Sequence, residues 1–167
     1  PNQALGGFKT DIKGEALSVQ SMAFTIATSS EFTGASGVIT SISLVNQNGA
    51  VVAGPVDEAS TCTSGCTITF TDTVTFPVGQ NVYTLKGKIP SATSNGATVV
   101  VSATPSSGWS NVTGQTTGNT ISLSANGAFS MNTMTVRAAA LAITVSATPA
   151  AQTIIAGGTQ LLFSNIQ

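Results

Sequence analysis

Along much of this chain apolar and hydroxyl side chains alternate with a period of two, the signature of strands that bury one face. Thr67–Phe76 is the clearest case: Ile68, Phe70, Val74 and Phe76 form one row and threonines the other, with Asp72 alone interrupting the apolar row. A first strand is read in Gln3–Gly14, alternating after the glycine pair Gly6-Gly7 and ending in a turn at Gly14. In Ala16–Ile26 the apolar positions fall at Leu17 and Val19 and then at Met22, Phe24 and Ile26. That change of phase predicts a β-bulge, because one additional residue turns the side chains to the opposite face. Val38, Ile42 and Leu44 mark a further strand, closed by the turn sequence Asn46-Gln47-Asn48-Gly49 and answered by Ala50–Ala53. After the turn at Pro77-Val78-Gly79, Tyr83, Leu85 and Ile89 stand opposite Lys86 and Lys88. Gly96–Thr104 is a continuous apolar run, expected in a more central position. Pro105–Ala128 is polar and glycine-rich, with Ile121-Ser122-Leu123 as its one short strand candidate. Met131–Val136 and Leu141–Val145 read as one long last strand, bent at Ala138-Ala139-Ala140. Many short strands, frequent turns and no sustained helical period predict an all-β fold, an antiparallel β-sandwich.

Pro149 ends that pattern, so the expected division is a sandwich domain over residues 1–149 and a terminal strand over 150–167. The terminal stretch carries Ile154, Ile155, Leu161, Leu162, Phe163 and Ile166 without a single charge. An apolar strand beyond a complete set of strands has to find a sheet edge, which points to a neighbouring copy. Gln160–Ile166 also echoes Gln3–Ile12, with a Gln, a Leu and a Phe preceding an Ile. The echo has two accounts: the start of a further repeat, or two termini competing for equivalent edges in successive subunits. A tail folded back on its own sheet is the third possibility.

Composition narrows the partners. Charged residues are 7% of the chain against 41% hydrophobic, and 5 Lys+Arg face 6 Asp+Glu for a net charge of -1. The solvated face is therefore one of hydroxyls and amides, with no basic patch for nucleic acid and little self-repulsion to keep copies apart. No run of 18 apolar residues is present to form a transmembrane helix. The chain opens on Pro1, which suggests a processed chain or a piece of a longer one. With two cysteines and many Ser and Thr it reads as secreted, extracellular or cell-surface.

Cys62 and Cys66 enclose a short loop before the clearest strand, and in a secreted chain this spacing predicts a disulfide. With no histidine and no other cysteine, a zinc site lacks ligands. The same absence removes the usual Ser or Cys triads, so no catalytic residues, metal or cofactor are assigned and the chain is read as non-enzymatic. Glu31, Asp57, Glu58 and Asp72 are ordinary loop acids in this reading, although a glycosidase would use two such carboxylates. Asn111-Val112-Thr113 matches the N-glycosylation pattern and makes Asn111 a possible modification site. Trp109 and Tyr83 are the pair from which a carbohydrate platform would be built, the competing role for Trp109 being to cover one end of the core. The pairs Gly6-Gly7 and Gly157-Gly158 lack a following helix or lysine, and read as bulges or close backbone approaches rather than phosphate loops.

Leu5-Gly6-Gly7-Phe8, Ser41–Gly49, Thr75–Gly79 and Tyr83–Ile89, taken together, resemble immunoglobulin-like β-sandwich repeats of large bacterial cell-surface and surface-layer proteins. The chain also resembles filament subunits of bacterial and archaeal surface fibres that give a strand to a neighbour's sheet. The resemblance implies an immunoglobulin-like sandwich serving as a structural or adhesive building block, with copies of itself or adjacent repeats as partners. An adhesive or carbohydrate-binding module of a larger surface protein is the alternative.

Overall fold

The computed structural model of the protein describes residues 2–30, 32, 38–60 and 62–137. Two antiparallel sheets pack face to face as an all-β sandwich. The first has the order β1-β7-β3-β4 and is built from β1 (Gln3–Ile12), β7 (Gly79–Lys88), β3 (Thr40–Asn46) and β4 (Val51–Val56). The second is organised on β2 (Leu17–Thr28). On one side of β2 lie β5 (Cys66–Phe70) and β6 (Val74–Phe76); on the other lie β8 (Thr98–Ala103) and β9 (Trp109–Gly114). Beyond β8, two short strands complete the sheet, β10 (Phe129–Ser130) and β11 (Met134–Thr135). A single turn of helix, α1 (Pro105–Gly108), joins β8 to β9, opened by a proline whose fixed φ suits a first helical position.

The inner faces meet in a core of Phe24, Phe70, Phe76, Met22, Ile26, Ile42, Leu44 and Leu85, all essentially inaccessible to water. The expected phase change in β2 is present: Val19 is buried, Gln20 is exposed, and Met22, Phe24 and Ile26 are buried again. Its cause is shared with the neighbours. Between the pairs Val19↔Val74 and Met22↔Phe70, Gln20 and Ser21 oppose three residues, Thr71, Asp72 and Thr73. On the other flank Val19↔Val112 and Ser21↔Ser110 stay in register across Gln20 and Asn111, and Asn111 has the left-handed φ of 53°. Both β2 and β9 therefore turn their inward rows over at the same level, Val19 with Val112 and then Met22 with Trp109.

Several sequence expectations change in detail. Thr67–Phe76 is two strands, because Asp72 sits at the break and its carboxylate accepts the Gly54 amide at 2.8 Å instead of facing the core. The polar excursion after Pro105 holds β9, while Ile121 and Leu123 pack on the core outside any named strand, next to a bridge between Thr113 and Thr120. The last strand is two short pieces, β10 and β11, with Leu141–Val145 outside the described residues. Ala50–Ala53 extends to Val56 through Pro55. The Gly6-Gly7 expectation holds: register shifts between Ala4 and Gly6, and a Cβ on Gly6 would lie 2.6 Å from the Met131 sulfur.

Cys62 and Cys66 are joined, with Cα atoms 5.0 Å apart. The Cys62 carbonyl accepts the Thr28 amide at 2.9 Å, so the closed loop is tied to the end of β2. No helix among the described residues is long and apolar enough to cross a membrane.

Candidate functional site

Among the described residues β1 pairs with β7 alone, over nine partnered positions from Gln3↔Gly87 to Ile12↔Gly79. Alternate residues of such an edge strand direct their N–H and C=O groups away from the sheet, where they need water or another strand. At its amino-terminal half this edge is closed against the second sheet, since Gly6 is buried under Met131 with no room for a side chain. Past Gly7 the sheets part. A groove of about 350 Å³ opens there, running along Phe8–Ile12 and floored by Leu17, Val19, Phe76, Trp109 and Val112, with Leu123 and Phe129 on the far wall.

The alternation of β1 explains the lining. Lys9 and Asp11 are exposed on the outer face, while Phe8, Thr10 and Ile12 are half-buried on the inner one. Phe8 is the hub of the groove's closed end, its ring 5.6 Å from Tyr83, 5.6 Å from Phe129, and 5.9 Å from both Phe24 and Trp109. Trp109 in turn stacks on Phe76 at 5.9 Å with the planes 8° apart. Its indole Nε1 is buried without a hydrogen-bond acceptor among the described residues. Such an orphan donor is a disfavoured arrangement for an otherwise filled core.

At its other end the groove continues into a wider hollow of about 610 Å³ around Lys13, Gly14, Glu15, Thr116, Thr117 and Ile121. Glu15 fixes that rim. Its carboxylate accepts the amides of Thr116 at 2.7 Å and Thr117 at 2.9 Å and the Thr117 hydroxyl at 2.7 Å. These bonds, the Thr117 hydroxyl first, hold its pKa below the usual carboxylate value. An apolar trough with a stiffened polar mouth, beside a backbone edge that no second described strand pairs, has the shape of a slot for an extended peptide chain.

The residues singled out in the sequence are placed as follows. Cys62 and Cys66 form the predicted disulfide. Asn111 is exposed in β9. Tyr83 is 2% exposed and Trp109 is packed among Phe8, Phe24 and Phe76, so the two rings make no exposed carbohydrate platform; Trp109 fills the groove floor instead. Glu31 lies outside the described residues. Asp57 accepts the Ser41 amide at 2.6 Å and Glu58 the Ile39 amide at 2.7 Å, so both carboxylates secure the start of β3. Among the described residues no group of three metal-ligating side chains is found. The assembly residues Ile154, Ile155, Leu161, Leu162, Phe163 and Ile166 lie outside the described residues, as does the expected boundary at 149. The groove itself was not anticipated. Its only sequence signal is the phase change in β2, and its lining comes from strands far apart along the chain.

Comparison with protein-family models, with curated proteins and with solved structures returns no match to this chain.

Proposed function

We propose that this protein is a non-enzymatic structural subunit of an extracellular assembly, a fibre or surface layer, whose copies join by β-strand complementation. The observation that supports the reading is the edge of β1 at Phe8–Ile12, which among the described residues has a partner strand, β7, on one side alone and borders an apolar groove between the two sheets. The chain supplies uncharged strand-like sequence after Arg137, in which Ile154, Ile155, Leu161, Leu162, Phe163 and Ile166 are prominent. The disulfide and the near-absence of charge fit an oxidising location outside the cell. Each backbone hydrogen bond to the β1 edge contributes roughly 0.5–1.5 kcal/mol. Each apolar side chain buried in the groove adds roughly 1.5–3 kcal/mol. A strand giving four of the former and three of the latter gathers roughly 6.5–15 kcal/mol, of the same order as the roughly 4–15 kcal/mol that association costs.

Electron microscopy and sedimentation of the whole chain, and of a chain ending at Arg137, test this. The whole chain is expected to form linear polymers and the shortened one to stay monomeric with its near-ultraviolet circular dichroism retained. A whole chain that remains monomeric at every accessible concentration overturns the reading.

A further inference from the structure

We propose that Asn126 is a site of spontaneous covalent modification, at which the Gly127 backbone nitrogen closes on the Asn126 side chain and converts it to aspartate and isoaspartate. The chain contains three Asn-Gly pairs, Asn48-Gly49, Asn95-Gly96 and Asn126-Gly127. In each, the glycine has no Cβ to shield its nitrogen from the side chain before it, which makes the pair thermolabile. The bond that forms joins the glycine nitrogen to the asparagine Cγ. The Cγ–Nδ2 bond breaks, and ammonia leaves with the proton that the glycine nitrogen gives up. Water then opens the cyclic imide at one carbonyl or the other, leaving a carboxylate either on the side chain or in the backbone. No oxidant, metal or cofactor enters the balance.

The three pairs differ in what the glycine N–H is doing. A nitrogen whose proton is held in a hydrogen bond attacks only after that bond has opened. The Gly49 amide donates to the Asn46 carbonyl at 3.0 Å, and Asn46 Oδ1 accepts the Asn48 and Ala50 amides at 3.0 Å each, so the turn is tied at every position. The Gly96 amide donates to the Val136 carbonyl at 2.9 Å. Both glycines also have left-handed backbones, with φ of 83° and 93°, fixed by those turns. Gly127 is different. Its amide donates to no acceptor among the described residues, and its φ is not left-handed. Ser124–Ala128 are all exposed and belong to no named strand. Asn126 is held by its backbone, the amide donating to the Leu123 carbonyl at 2.8 Å and the carbonyl accepting the Ser106 amide at 3.2 Å. Closing the ring turns the Asn126 carbonyl and gives up the second of these, a bond at the long end of the usual range.

The new charge arrives at a defined place. Asn126 and Asp11 both line the groove and the wider hollow that continues it. Conversion therefore adds a carboxylate to a lining that already carries one, and one negative charge to a chain whose net charge is -1. This chemistry does not depend on how copies assemble.

The test keeps the whole folded chain at mildly alkaline pH and maps its peptides over time by mass spectrometry, with digestion in mild acid to halt ring closure. The peptide holding Asn126 is expected to gain the small mass of exchanging NH for O severalfold faster than those holding Asn48 and Asn95, and to separate into aspartate and isoaspartate forms. In urea, where all three glycine amides are released, the three pairs are expected to convert at similar rates. Gly127→Ala places a Cβ where nothing lies within 4 Å, so the near-ultraviolet circular dichroism is expected to be unchanged. Conversion at Asn126 is expected to slow by roughly tenfold in that variant, because the Cβ shields the nitrogen. Asn48 or Asn95 converting as fast as Asn126 in the folded chain overturns the assignment. So does an Asn126 that stays intact in the folded chain while it converts in urea.

Discussion

Glu58 has a carboxyl group taken out of water with one oxygen bonded to the Ile39 amide and the other without a partner among the described residues. Burial, opposed in part by that bond, lifts its pKa from 4.5 to about 7. Between those values the folded chain holds a proton that the unfolded chain has released, so stability is greatest below pH 4.5 and falls as the pH rises to about 7. The loss amounts to at most about 3 kcal/mol. Glu58→Gln keeps an acceptor for Ile39 and removes the ionisation. Urea midpoints measured from pH 4.5 to 7.5 are expected to decline for the parent and to stay level for the variant. Glu15 has the opposite sign: its pKa is lowered, so its hold on the Thr116–Thr117 turn is present above its unfolded value and is lost in acid. Hydrogen-exchange protection of the Thr116 and Thr117 amides, taken against the intrinsic rate at each pH, is expected to fall in Glu15→Ala and, for the parent, as the pH falls through the carboxylate range. Gly54 is a further residue fixed by its surroundings. Its φ is 92°, and a Cβ there would stand 2.6 Å from the Ile42 carbonyl oxygen. Gly54→Ala is expected to lower unfolding stability by about 2–4 kcal/mol, read from chemical denaturation.

At the scale of elements, β2 was legible as a strand with a change of phase, because apolar spacing survives in the sequence. What produces the change was not, since it involves Thr71–Thr73 and the left-handed Asn111, residues that meet β2 only after folding. The disulfide was legible for the opposite reason: its partners are 4 residues apart and local spacing is enough. A loop this short leaves little unfolded-state entropy to remove. Replacing both cysteines with serine is expected to cost about 2 kcal/mol of unfolding stability without change of fold, as judged by denaturation and circular dichroism. Ile121 and Leu123 show the limit of pattern reading. They alternate as a strand would, yet they serve as wall side chains of the groove region and are in no named strand.

For the whole molecule, the proposed contact is made of backbone hydrogen bonds and apolar burial, and the chain has a net charge of only -1. Self-association is therefore expected to change less than about threefold between low and moderate salt, measured by sedimentation, because screening acts on charges the contact does not use. Chaotropes that solvate apolar and peptide groups are expected to dissolve it. A steep salt dependence would point to a different contact, made by the few charged side chains.

The sequence by itself determined the class of fold and the disulfide, since each depends on residue type or on spacing within one short stretch. Period-two alternation is a local property of a half-buried strand, and it reads correctly wherever one face meets the core. Tertiary structure decided which edge has no second partner strand among the described residues. Gly6 closes on Met131 while Phe8–Ile12 borders a groove between the two sheets, and this depends on residues over 100 positions apart in the chain brought together by packing. A groove is the space between two surfaces, and no single stretch of sequence contains both.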